Sequence, residues 1–349
     1  MGVFVFLPLV LPLTAWPVAR AATQHLHPRT ATRLLTALAA VMALCSTLCL
    51  ALLMVVGTAQ LPGNPLPDAW SDPEVRAAVP CDEVAGKAAI PALLAVCGAV
   101  GRTLWRHVAV RHRAARAVAG LRGTSVAVLG SGGADGAGGA RGAHGAGAVA
   151  GAAYAYALPG PVGRREAGRV VVTRALLERL EPAERRALFA HERAHLSARH
   201  HRFLLVTQAA ARANPFLGPL RAATAYTAER WADEEAARVV GDRRTVARAI
   251  GKAALAGAGA GAGSGSGSGV PAPVRAGLAG LAGLAAAGPV PRRVAALLAP
   301  APAARTRPSP FTAPGLALWC AAGGTAVSAM ASANAAVTLV LVLRAATPL

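Results

Sequence analysis

His191, Glu192 and His195 are the residues whose types and spacing speak most directly of chemistry. They read H-E-x-x-H, in a stretch that predicts a helix from Pro182 to about Arg199. Side chains four apart on a helix leave from one face, so the two imidazoles converge on one point. A zinc ion asks this of its first two nitrogen donors. Glu192 falls at the edge of that face, within reach of a water activated by such an ion, and is the candidate general base. A hydrolytic zinc site also takes a third protein ligand and keeps its fourth position open. The next acidic run, Glu229-Arg230-Trp231-Ala232-Asp233-Glu234-Glu235, offers Glu229 and Asp233, again four apart. Their helix is predicted from Thr224 to about Val240, closed by Gly241. Glu229 is the candidate third metal ligand. Asp233, one turn on, is placed to accept a proton from the far nitrogen of a ligand histidine, fixing its ring and tautomer. The plainer alternatives are two histidines on a polar helix and a solvated acidic face.

The stretches His191 to Arg199 (HERAHLSAR) and Glu229 to Ala237 (ERWADEEAA) resemble the membrane-bound zinc peptidases typified by the beta-lactam sensor-transducers, the antirepressor proteases of antibiotic resistance. CAAX prenyl endopeptidases and heat-shock membrane proteases share the H-E-x-x-H plus E-x-x-x-D layout more distantly. The resemblance covers roughly Ala153 to Gly241. It implies a gluzincin-type zinc metalloendopeptidase holding one Zn2+ per chain, with Glu229 as the ligand from the second motif. The sensor-transducers carry a penicillin-binding domain after their last membrane helix, whereas this sequence ends at Leu349. The resemblance therefore implies the peptidase and gives nothing for antibiotic sensing.

The elements that must position these residues are read from the rest of the chain. More than half of the 349 residues are apolar (54%), which is high for a soluble protein and ordinary for one in a bilayer. The net charge of +20 invites a nucleic-acid reading, but aromatic residues make up only 4% and the arginines cluster beside apolar segments. Positive-inside flanks explain that charge better, so the expected partners are a lipid bilayer and a protein or peptide substrate, with no nucleic acid. The five cysteines include no C-x-x-C pair and offer no thiolate zinc site.

Four transmembrane helices are expected, at about 3–19, 34–59, 88–105 and 315–343. Residues 20–33 carry three arginines and no acid, and residues 102–122 carry six arginines and no acid. Between them, residues 61–87 hold five acids against two bases. The positive-inside bias places the N-terminus outside and residues after the third span in the cytoplasm. The fold class expected is therefore an α+β membrane protein, with the zinc peptidase domain between spans three and four. Its parts are a membrane region over 1–122, a cytoplasmic peptidase domain over 123–256, a flexible linker and helical segment over 257–314, and a last span with its tail over 315–349.

Within the peptidase domain, Thr124–Leu129, Tyr154–Leu158 and Gly168–Thr173 read as strands. The last (GRVVVT) is either the edge of a cleft, where an extended substrate adds as another strand, or an ordinary core strand. Residues 130–151 form a glycine- and alanine-rich insertion without an apolar period or a phosphate-binding register. His200 and His201 lie beyond the helical register of the motif and are poor extra ligands. Tyr226, His200 and Arg230 are neighbours of the right type to steady an oxyanion. The activity expected is amide hydrolysis by a metal-activated water, with Glu192 as base. Two alternatives stand beside it: a regulatory protease that cleaves a transcriptional repressor or itself, and a membrane scaffold without turnover.

Overall fold

Three prolines near the N-terminus decide how the chain begins. In a computed structural model, which describes residues 5–77, 81–117, 125–129, 153–160, 168–262, 290–302 and 311–346, the first segment is not one helix. It breaks into α1 (Leu7–Val10), a 3-10 turn (Leu11–Thr14) and α2 (Ala15–His25). Pro12 has no N–H for the carbonyl of Pro8, four residues back. The hydroxyl of Ser46 donates to that carbonyl instead, at 2.7 Å. The apolar stretch expected to span at 3–19 is thus an interrupted chain. Among the described residues three helices are long and apolar enough to cross a membrane, and this stretch is not one of them.

Those three are α3 (Pro28–Ala59), most of α5 (Asp82–Ala117), which follows the short α4 (Pro73–Ala77), and the last helix, Ala313–Ala346. Each contains one of the spans expected at 34–59, 88–105 and 315–343 and runs beyond it. The described residues form two units: 1–105 with 205–224 and 304–349, and 106–204 with 225–303. In the first, Leu35, Met42, Leu217 and Leu220 share one apolar core, and Cys49, Leu53, Val56 and Leu339 another. The backbones of Gly57 and Gly86 meet so closely that a Cβ on Gly57 would lie 2.1 Å from the Gly86 carbonyl carbon. Small residues allow such crossings between apolar helices.

The second unit carries a three-stranded sheet, β1 (Val126–Leu129), β2 (Ala155–Leu158) and β3 (Arg169–Thr173), in the order β1-β3-β2. β1 runs parallel to β3 and β2 antiparallel. The GRVVVT segment is therefore the central strand; β2 and β1 are the edges among the described residues. Both faces of β3 are covered, as its unbroken valine run suits. Val172 belongs to a core with Leu176, Leu188 and Ile250, and Val171 to one with Ala127, Tyr156 and Leu158.

The helices that follow the sheet in the chain are α6 (Arg174–Glu178), α7 (Pro182–Ser197), α8 (His200–Ala213), α9 (Gly218–Val240), α10 (Arg243–Ala262) and α11 (Val290–Leu298). The closing helix, Ala313–Ala346, is α12. Pro182 opens α7, and the Glu184 side chain accepts the backbone N–H of Glu181 at 2.9 Å. Gly241, at φ +79°, ends α9 in the left-handed conformation that glycine adopts without penalty. The glycine-rich stretch 130–151 and most of the expected linker 257–314 lie outside the described residues.

Candidate metal centre

The site residues come from α7, α9 and the short α11, and all of them lie in the second unit. α7 presents His191 and Glu192, both fully buried, with His195 one turn on; α9 presents Glu229 and Asp233, also buried. The Nε2 atoms of His191 and His195 lie 3.1 Å apart. Oε1 of Glu229 is 3.5 Å from Nε2 of His195, and Oε2 is 3.6 Å from Nε2 of His191. The donor atoms of these three residues all fall within 4.8 Å of one another. A tetrahedral zinc ion with donors at about 2.0–2.1 Å keeps them about 3.3–3.4 Å apart, so the spacing fits such an ion.

The charges agree with that fit. Glu192, Glu229 and Asp233 bring three negative charges when ionised, and Arg293, fully buried beside them, returns one positive. The two that remain are what a divalent cation neutralises. Both carboxylate oxygens of Glu192 are buried, and among the described residues neither has a hydrogen bond of ordinary geometry. Burial pushes its carboxyl up to about 7; His191 opposes the rise, Glu229 adds to it, and Arg293 and the backbone of Ala157 in β2 oppose it further.

The two histidines are backed differently. Nδ1 of His191 meets Oδ1 of Asp233 at 3.0 Å. Burial alone would lower its pKa, but Asp233 and Glu229 outweigh burial and lift it to about 9. Asp233 is itself buried, yet Arg293 holds its carboxyl well below the ordinary range. Nδ1 of His195 meets Nδ1 of His200 at 2.9 Å. Burial drives His195 well below its usual value, and the nearby Glu229 carboxylate opposes that fall. Burial likewise pushes His200 down to about 3. Both rings stay neutral at pH 7, so one Nδ1–H donates to the other's bare Nδ1. His200 reaches its place because Arg199 turns the chain in the left-handed region, at φ +54°, between α7 and α8. Trp231 packs on His200 in a T-shaped arrangement, with ring centres 4.7 Å apart.

The structure thus brings His191, Glu192, His195, Glu229 and Asp233 into one cluster. Two participants have no place in the sequence motif: His200, which reads there as a poor ligand, and Arg293, which lies in an alanine-leucine stretch. Of the other oxyanion candidates, Arg230 is turned to Glu234 at 2.9 Å, and the Tyr226 ring lies under the guanidinium of Arg292 at 4.2 Å.

Residues 147–212 match the family model for Peptidase family M48. The match takes in β2, β3, α7 and most of α8, including the H-E-x-x-H residues, and ends before Glu229. It supports a zinc metallopeptidase without selecting the sensor-transducer branch. Comparison with curated proteins and with solved structures gives no match.

Proposed function

We propose that this protein is a membrane-anchored, zinc-dependent endopeptidase in which His191, His195 and Glu229 hold the ion and Glu192 is the general base. The observation that carries this reading is the convergence of one donor atom each from His191, His195 and Glu229 within 4.8 Å, beside the fully buried carboxylate of Glu192. A divalent ion bound there supplies Lewis acidity to the scissile carbonyl and to the attacking water. The chain's own residues do the rest. Asp233 accepts the Nδ1 proton of His191, leaving Nε2 as a bare donor. The His195–His200 contact orients the second ring. Glu192 takes the proton of the attacking water and returns it to the leaving amine. Burial holds its carboxyl nearer neutrality than an exposed glutamate, where a group can both take and give a proton. The outer edge of β2, unpaired among the described residues and with Ala157 facing Glu192, suits an extended peptide that adds as a further strand.

The basic flanks favour a cytoplasmic catalytic unit. Residues 20–33 and 102–122 stay inside and the acidic loop between α3 and α5 goes outside. This assignment does not depend on the interrupted N-terminal segment, since α3 and α5 alone return the chain to the inner side. A reporter fused after Gly241 is expected to read cytoplasmic.

The catalytic reading is tested on the full chain in detergent. The purified protein should carry one zinc per chain and cleave peptides. Glu192→Gln should keep the zinc and lose about 10²–10⁴-fold in kcat. Full activity in that variant would remove Glu192 as base, and absence of stoichiometric metal from the parent would remove the zinc site.

A further inference from the structure

Arg293 stands in no motif, yet it makes the closest charged contacts of the centre. It is fully buried on α11. Its Nε donates to Oδ2 of Asp233 at 2.8 Å and its Nη2 to Oδ1 at 2.6 Å, a two-pronged grip. Its Nη1 lies 3.1 Å from Oε2 of Glu229. One planar fork therefore spans both carboxylates of α9, as only a guanidinium can.

The helix that carries it is itself fixed. Pro291 suits the first turn of α11, where its missing N–H costs nothing. At the other end, Arg243 donates to the carbonyls of Ala296 and Leu297 at 2.9 and 3.0 Å, and it also pairs with Glu234 of α9. Leu297, one turn from Arg293, is buried in the core under α7 and α10. The guanidinium is thus aimed by backbone contacts outside the cluster.

Both oxygens of Glu229 face a ligand histidine, Oε1 at 3.5 Å from His195 and Oε2 at 3.6 Å from His191, but Oε2 also lies against the Arg293 guanidinium, at 3.1 Å. An unrestrained carboxylate can give a metal one oxygen or both. We propose that Arg293 is a positioning residue that holds Oε2 of Glu229, so that Glu229 serves as a one-oxygen ligand through Oε1 and a coordination position stays free for the reacting groups. This rests on the zinc-peptidase reading above. The same guanidinium holds Asp233 against His191, so it sets the orientation of two of the three donors.

The test uses the full chain in detergent, stripped of metal and refilled with Co2+ alone, whose visible bands report coordination number. The parent is expected to take one Co2+ and show the intense bands of a four-coordinate site. Arg293→Lys keeps the charge, but one ammonium cannot bridge both carboxylates. It should still melt as a folded protein while its bands weaken towards a five-coordinate spectrum and its Co2+ affinity falls about 10- to 100-fold. Arg293→Met should show the same spectral change with a larger loss of thermal stability. A residue that only supports the fold would lower the melting temperature and leave the bands of the bound ion unchanged. Parental spectrum and affinity in folded Arg293→Lys would overturn the positioning role while leaving the zinc-peptidase reading intact. Failure of the parent chain to bind Co2+ or Zn2+ would overturn both.

Discussion

His191 and His195 are one helical turn apart and belong to the same motif, yet their surroundings are opposites. His191 is backed by an anion that is in turn neutralised by Arg293. His195 is backed by a neutral ring, His200, packed against Trp231. The first arrangement pulls a proton onto the imidazole and lifts it to about 9; the second strips it. A metal ligand must be neutral at the donor nitrogen. His195 is therefore ready for an ion at neutral pH, whereas His191 must give up a proton to receive one. Identical residues four apart acquire different jobs from what stands behind them: a strong, charged tether on one side and a preformed neutral donor on the other.

Breaking the charged side should have the largest effect. Asp233→Asn leaves the buried Arg293 without its two-pronged partner and His191 without its anion. Removing one member of a buried ion pair destabilises by about 3–5 kcal/mol. Loss of the carboxylate behind the histidine should also weaken metal binding by about 10- to 100-fold. Thermal melting of the metal-free protein and competition with a zinc indicator measure the two. A variant that melts and binds as the parent does would show that the Asp233–Arg293–His191 chain is not what holds this side.

The pH dependence sharpens the contrast next. In the metal-free protein His191 has a folded pKa raised to about 9. The stability it contributes is present below the unfolded value of about 6.5 and is lost as pH rises through about 9. His200 runs the other way. Its folded pKa is depressed to about 3, so its contribution is present above about 6.5 and is lost as pH falls towards 3. Because an ion must displace the His191 proton, apparent zinc affinity should rise by about tenfold per pH unit from 7 towards 9. NMR titration of the stripped protein resolves the two rings. Both titrating near 6.5 would erase the asymmetry.

Replacing His200 by Phe should do less. The ring keeps its packing against Trp231, and His195 loses a neutral contact instead of a charge. Metal affinity is expected to fall by about tenfold, the lower end of what partners behind a ligand provide. Zinc competition and melting check it, and a loss as large as that of Asp233→Asn would make the two sides equivalent.

How much of this was legible in the sequence follows from how far each contact reaches along the chain. His191, Glu192 and His195 are held together by one helix, so their spacing alone carries their geometry. Glu229 and Asp233 are likewise coupled by a single helix, and the acidic pair stands out in a chain poor in acids. Arg293 is 60 residues from Asp233. Its burial depends on tertiary packing of a nine-residue helix that begins at prolines, and no local period announces it. His200 escaped for a different reason: a left-handed residue brings it back to His195, and an arginine does not advertise that conformation as a glycine would. The central place of β3 was also hidden, because a run of valines suits a covered strand without saying what covers it. The N-terminal segment shows composition misleading in the other direction, since its apolar length suggested a span while its prolines denied it a continuous helix.

That left-handed residue gives the mildest test of the neutral side. Arg199 holds φ +54° where α7 gives way to α8, and the reversal brings His200 to His195. A side chain with a Cβ is strained there by about 1–2 kcal/mol. Glycine removes the strain but brings about 0.5–1 kcal/mol of extra freedom to the unfolded chain. The two nearly offset, so Arg199→Gly should change stability by less than about 1 kcal/mol and leave zinc affinity where it was. Melting and zinc competition on the same sample decide it. If affinity drops while the fold persists, the arginine side chain, and not the backbone turn, is what delivers His200. The neutral side would then be held as specifically as the charged one.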